Sequence, residues 1–259
     1  MSSYSGRHAQ LYDLFYADKP YAEEAAFVHR CLNKFGASPA REILELACGT
    51  GRHAFELEKY GYTITAIDDS PDMLQVARER AAQTGSKVVF NRGDMRALKP
   101  APTEYDAVIC LFDSIGYLKT NEALSEAFIG VRRSLRRNGL FLFEFWYAPA
   151  MLNHYSPVRV RRWNTPNNEV VRISETTLDR KNQLADVSYT VYELNKNGTY
   201  STFCEKQTNR FFFPEEMRTL ISGAGFEMLK LYAGFQEDES IDANTWHMVA
   251  VARKGQESR

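Results

Sequence analysis

"ILELACGTGRHA", residues 43–54, decides how this chain is read. An apolar run carrying one acid gives way to Ala-Cys-Gly-Thr-Gly, and helix-forming residues follow. Two glycines one residue apart, where a strand hands over to a helix, let backbone approach a ligand with no Cβ in the way. The spacing Gly49-x-Gly51-x-x-Ala54 also fits the G-x-G-x-x-G/A turn of dinucleotide sites, so a nicotinamide-dependent oxidoreductase is one reading. The residues around the turn must separate the possibilities.

Outward from the turn, strand and helix signals alternate between residues 40 and 146. "EILEL" (42–46), "YTITAI" (62–67), "KVVF" (87–90), "DAVICLF" (106–112) and "LFLFEF" (140–145) are short apolar runs rich in β-branched or aromatic residues. Ser70 and Pro71 open one intervening helix as N-cap and first residue. Another starts near Thr120 and carries Leu124, Phe128, Val131 and Leu135 on one stripe before Gly139 stops it. Ahead of the turn, Ala25, Val28, Leu32 and Phe35 form an apolar helical face ending at Gly36. Alternation of this kind needs crossovers, hence a mostly parallel sheet covered on both faces.

The pattern changes after residue 147. Between about 157 and 213 strand-like runs are separated by the polar breaks "TPNN", "DRKNQ" and "NKNG", as in an antiparallel sheet. Pro214 opens a helix bearing Met217, Leu220 and Ile221, and strands follow near 226–233 and 245–253.

Composition sets the outer limits. The chain has 259 residues and a formal net charge of −1, with 44% hydrophobic and 25% charged residues, as in an ordinary globular protein. That balance gives no reason to expect nucleic acid as a partner. No apolar run approaches a membrane span, and "MSSYSGRHAQLYDLFY" lacks a secretory layout. The 4 cysteines are widely spaced, so no metal site and no disulfide framework is expected, and a reducing cytoplasm is the default. Cys48 reads as a small residue packed in the turn, and His53 as a helix residue near the ligand mouth. Arg132, Arg133, Arg136 and Arg137 read as a solvated helix face.

Three acids bear on the ligand. Asp68 ends the second strand in "TAIDDS", where a carboxylate can accept from ribose hydroxyls of either NAD or S-adenosylmethionine. Asp94 in "NRGDMRAL" follows the third strand, where it can accept from an adenine amino group, a feature less expected of NAD sites. Glu45 and Cys48 precede the glycines. The order "ELACGTG", an acid, Gly-Asp, then "YDAVICLFDSIGYL" resembles the class I S-adenosylmethionine-dependent methyltransferases. More narrowly, "LYDLFY" (11–16), "ACGTG" with "GDMR", and "LFDSIGYLKT" (111–120) look like the N,N-dimethyltransferases of nucleotide-linked amino deoxysugars. Members of that family often carry Ser-Ser where this chain has Asp113-Ser114, and His or Tyr at the place of Tyr117.

The resemblance implies an α/β fold: a doubly wound, mostly parallel seven-stranded Rossmann-like sheet with an inserted antiparallel β subdomain. Residues 1–38 would be a helical cap, 39–150 and 214–259 the core, and 151–213 a β lid. S-adenosylmethionine is the implied cofactor. Its site would use Tyr12, Glu45, Ala47, Gly49, Gly51 and Arg52, then Asp68, Asp69 and Met73, then Gly93, Asp94, Met95 and Leu111.

Methyl transfer needs mainly alignment, which can supply roughly 7–11 kcal/mol of a barrier, and an amine acceptor must also lose its proton. Tyr12, Asp113 and Tyr117 are the candidates for this step. Asp113 either holds and deprotonates an ammonium or simply caps the segment after it. Trp146 and Tyr147 are expected in the pocket wall. Arg159 and Arg161, sharing a strand face opposite Val158 and Val160, either grip a phosphate of the substrate or form the wet side of the sheet. The expected acceptor is an amino group of a small molecule, such as a nucleotide-linked amino sugar, with another small-molecule N or O acceptor as the alternative; the number of subunits is open, with a homodimer among the readings. An oxidoreductase and a non-catalytic S-adenosylmethionine-binding module stand as alternatives.

Overall fold

A computed structural model describes residues 4–98 and 104–255; the outermost ends of the expected cap and core, 1–3 and 256–259, lie outside the described residues. Helices α1 (Arg7–Phe15) and α2 (Tyr21–Phe35) come first. Then β1 (Glu42–Leu46), α3 (Arg52–Glu58), β2 (Thr63–Asp68), α4 (Pro71–Thr84), β3 (Val89–Arg92), β4 (Tyr105–Cys110), α5 (Asn121–Ser134) and β5 (Leu135–Trp146) alternate. α6 (Ala148–His154) leads into β6 (Val158–Asn164), β7 (Asn168–Asp179), β8 (Leu184–Asn195) and β9 (Tyr200–Arg210). α7 (Pro214–Gly223), β10 (Phe226–Ala233) and β11 (His247–Lys254) close the order.

The main sheet has seven strands in the order β10-β11-β5-β4-β1-β2-β3, and β6-β7-β8-β9 form a separate four-stranded sheet. The pairs from β5 to β3 are parallel, while β11 runs antiparallel between β5 and β10. One face of the sheet packs Phe128, Val131 and Met217 of α5 and α7 against Phe141 and Phe143. The other packs Val28 and Leu32 of α2, Leu57 of α3 and Leu74 of α4 against Ile43, Ile109 and Val251. This is the expected doubly wound α/β sheet with an added antiparallel sheet. The strand order reverses beside β1, the place where such folds bind ligands. Among the described residues no helix is long and apolar enough to cross a membrane.

Three boundaries differ from expectation. α5 ends at Ser134, and Leu135 already pairs with Tyr105 as the first residue of β5. An apolar residue in helical register serves either element, and sheet pairing won. Arg136 and Arg137 are therefore on a strand, not on a helix face; Arg136 pairs with Asp106 at 2.6 Å. β4 stops at Cys110, because Phe112 and Asp113 both take φ 56°. β3 starts at Val89, where its pairing with β2 begins. The short helix α6 was not foreseen, although Pro149 in its first turn is a helix-start signal.

Candidate active site

The carboxyl ends of the parallel strands open into a cavity of about 1280 Å³. Pockets for a single small molecule run to roughly 300–1,000 Å³, so there is room for a donor and an acceptor together. The loop after β1 forms the floor. Gly49 takes φ 56° and lines the cavity, and a Cβ there would stand 3.1 Å from Met73 Cε. Gly51, at φ 76°, does not line it; a Cβ would lie 2.6 Å from the Phe90 ring. The first glycine leaves room for a ligand, and the second lets the loop close onto β3 and start α3. Cys48 is buried in the turn, and burial holds its thiol well above the ordinary value.

Asp68 ends β2 and braces this loop. Its Oδ2 accepts from Gly49 N at 2.8 Å and its Oδ1 from Ser70 N at 2.8 Å. Each oxygen keeps a lone pair for a further donor. Burial raises the carboxyl's pKa, while those two N–H bonds work against the rise. Glu45 is 2% exposed with Oε2 unpartnered; burial, then the charge of Asp68, pushes its pKa up to about 8. Asp94 lines the cavity but both its oxygens bond Arg96, and it accepts from Arg96 N as the cap of a short 3₁₀ turn. An adenine amino group would share an oxygen already engaged. Ala47, Arg52, Asp69, Met73, Gly93, Met95 and Leu111 also line the cavity. His53 lies on α3 at the cavity and bonds Glu24 Oε2 at 2.6 Å.

The N-terminal segment is tied across the mouth. Gly6 N donates to Asp72 Oδ2 at 2.6 Å, Thr50 Oγ1 donates to Asp13 Oδ1 at 2.8 Å, and Arg80 pairs with Asp13. Tyr12 is 8% exposed, lines the cavity and packs on Tyr4, Tyr16 and Phe112. Tyr117 lines it from the turn after β4, with its hydroxyl bonded to Tyr4 and to Gln207 Oε1. Ser70 both caps α4 through Met73 N and donates to Tyr4 O at 2.8 Å. Ser70→Ala is therefore expected to lower unfolding stability by about 1 kcal/mol, as loss of an N-cap does. Urea denaturation with an unchanged midpoint would contradict this.

Asp113 sits at the end of β4, 3% exposed, and its side chain makes no capping bond to the turn that follows. Its Oδ2 accepts from His247 Nδ1 at 2.7 Å, and its Oδ1 is buried without a partner. Glu144 Oε1 stands 3.3 Å from the same nitrogen, while Glu144 Oε2 accepts from Phe112 N. That bond helps to hold the left-handed Phe112–Asp113 corner. Burial raises the Asp113 pKa to about 6 although the His247 charge opposes it. Burial also pushes Glu144 up, but His247 holds it below the usual glutamate value. For His247, burial works downward and the two carboxylates outweigh it, lifting the imidazole to about 11. The group is an imidazolium between two buried carboxylates, with one carboxylate oxygen left for a cation.

The second sheet lines the same cavity through Arg159, Arg161, Ser174, Thr176, Val187, Tyr189 and Gln207. Trp146 also lines it. Tyr147 does not; it packs on the core beneath α7 and bridges Phe212, because neighbouring residues at a strand end point to opposite sides. Glu144 and His247 were missing from the sequence reading, and both had a signal. Glu144 is a lone acid in "LFLFEF", and His247 opens the apolar run "MVAVA".

A family model described as a methyltransferase domain matches residues 43–139, from β1 into β5. A dTDP-3-amino-3,4,6-trideoxy-alpha-D-glucopyranose N,N-dimethyltransferase of Streptomyces venezuelae is 29% identical over 89% of this chain and 94% of its own. The chain is an S-adenosylmethionine-dependent methyltransferase. This methyltransferase is also 27% identical to a glycine/sarcosine N-methyltransferase of Parasynechococcus marenigrum (strain WH8102), over 83% of the chain and 72% of the relative. A solved S-adenosylmethionine-dependent methyltransferase of Clostridium acetobutylicum ATCC 824 shares the fold, with a TM-score of 0.82 at 20% identity, covering 96% of this chain and 98% of the other.

S-adenosylmethionine is the cofactor, and the residues at the glycine turn fit it. The methyltransferase offers a Cβ-free approach at Gly49, free lone pairs on Asp68, and the orphaned Oε2 of Glu45 beside them. Bound there, it supplies a methyl group already activated on a sulfonium.

Proposed function

We propose that this methyltransferase acts on an amino group of a small molecule, with nucleotide-linked amino sugars as the acceptor class. The observation that carries the reading is Asp113: a buried carboxylate at the strand next to β1, with Oδ1 unpartnered and His247 behind it. A hydroxyl could use the same carboxylate as a base, but an ammonium gains an ion pair there as well as a hydrogen bond. Asp113 then accepts the ammonium proton and exposes the lone pair. Tyr12 and Tyr117 hold donor and acceptor in line, and Trp146 packs beside them. Asp68 takes the cofactor's ribose, and Gly49, Met73 and Leu111 form its bed. Residues 151–213 serve as a lid whose sheet forms the acceptor-side wall. The amino-sugar dimethyltransferases among the relatives support the acceptor class.

The test is turnover with three acceptors: a dTDP-linked amino deoxysugar, glycine, and a dTDP-sugar bearing only hydroxyls, each read by mass shift. Methylation of the amino sugar is expected. Methylation of the hydroxyl sugar alone would overturn the amine reading, and methylation of glycine alone would keep the amine and reject the sugar.

A further inference from the structure

Arg172, on β7, is 6% exposed and lines the cavity. Its guanidinium carbon lies 4.7 Å from the Phe15 ring, 5.4 Å from Tyr16, 5.3 Å from Trp163 and 5.0 Å from Tyr189. Rings around a guanidinium stabilise its charge through their faces, but its five N–H donors lie in its own plane and need acceptors. Nε and Nη1 of Arg172 are buried with none.

Among the described residues no carboxylate is paired with it. Glu193 is taken by Arg7 at 2.6 Å, and Glu169 by Arg162 at 2.6 Å. His8, packed on the same rings, has neither nitrogen hydrogen-bonded, and its Nδ1 stands 4.0 Å from Glu205 Oε2; burial, then the charge of Arg172, brings its pKa down to about 4, so it is neutral. Directly across the β6–β7 pairing stands Arg161, which also lines the cavity. Like charges opposite one another destabilise a sheet, and a buried charge without a partner is costly. Both costs fall away if an anion sits between them.

We infer that the cavity holds a site for an anionic group of the acceptor, a carboxylate or a phosphate, with Arg172 as its buried anchor and Arg161 at its rim. This rests on the proposed amine acceptor, since it supplies the opposite end of the same molecule. Asp113 brings a carboxylate with an unpartnered oxygen to the cavity at the end of β4, and the two arginines line it from β6 and β7. An acceptor carrying an amine at one end and an anion at the other matches that polarity. Ser174, beside Arg172 on the cavity face, offers a hydroxyl to the same group.

The experiment titrates the full chain, loaded with S-adenosylhomocysteine, with inorganic pyrophosphate, inorganic phosphate and acetate at constant ionic strength, read by calorimetry. Saturable binding is expected in the wild type. Arg172→Met, which keeps the stem among the rings, should weaken it on the order of tenfold, the scale of one lost charge-assisted bond. Arg172→Lys and Arg161→Gln should each weaken it several-fold. Tighter pyrophosphate than acetate assigns a phosphorylated acceptor, and the reverse assigns a carboxylate. Absence of saturable binding in the wild type overturns the inference. So does undiminished binding in both Arg172→Lys and Arg161→Gln, whatever the folding of Arg172→Met. Failure to load S-adenosylhomocysteine counts against the cofactor site instead, so the two readings fail separately.

Discussion

Asp113→Asn is expected to slow methyl transfer by about 10²–10⁴-fold at neutral pH, the span for loss of a general base. Asparagine keeps an acceptor for His247 Nδ1 but cannot take a proton from an ammonium. The pH profile carries the sign. Burial raises the Asp113 pKa to about 6, so it is protonated and inactive below that pH and ionised above it. Wild-type kcat/KM should therefore rise as pH climbs through about 6, and the Asn variant should lack that limb. The gap should close toward pH 10, where a free amine needs no base.

His247 tunes the same limb. Its pKa is lifted to about 11 by the two carboxylates, so it stays an imidazolium through the assay range. The stability this adds is fully present below its unfolded pKa of about 6.5 and fades as pH rises to about 11. Removing that charge by His247→Gln should push the Asp113 pKa higher and move the acidic limb to more alkaline pH. Steady-state rates from about pH 4.5 to 10 with the true acceptor decide the matter, with the limb at about 6 inside that range. Wild-type rates in Asp113→Asn at every pH would end its role as base.

The parts of the site visible in the sequence lie close together along the chain or at predictable strand ends. Gly49, Asp68 and Gly93 each stand at or just past the end of a parallel strand, and parallel strands bring their ends to one edge, so position in sequence predicts position in space. Glu144 comes by the same rule, near the carboxyl end of β5 parallel to β4, but His247 reaches Asp113 by another route. β11 runs antiparallel beside β5, so its first residue meets the last turn of a strand about a hundred residues earlier, in the register His247 to Trp146. Nothing local to "TWHMVA" reports that pairing. The two arginines of the second sheet were visible only as a choice between a phosphate grip and a wet face. Arg172 was hidden because its meaning is an absence of partners, which only packing can reveal. Tyr147 was a lapse of periodicity: with Trp146 facing the cavity, its neighbour had to turn away.

Asp68→Ala should weaken S-adenosylhomocysteine by on the order of 1.5–3 kcal/mol, the value of hydrogen bonds to a charged group. At 1.4 kcal/mol per decade that is a Kd roughly ten- to a hundredfold higher. The structure adds a second path to the same loss. Asp68 also accepts from Gly49 N and Ser70 N at 2.8 Å each, so its removal would leave two part-buried donors unpaired in addition to any bond to the ribose hydroxyls. Asp68→Asn separates the two paths. An amide oxygen can still accept from one of those N–H groups, but its NH₂ meets the other donor, and the charge is gone. If charge on the ribose hydroxyls dominates, Asn should bind nearly as poorly as Ala while unfolding close to wild type. If bracing of the glycine turn dominates, the Asn protein should recover affinity in step with its stability. Calorimetric Kd values and urea midpoints for both variants give the comparison, and unchanged affinity in a folded Asp68→Ala protein would remove Asp68 from the cofactor site.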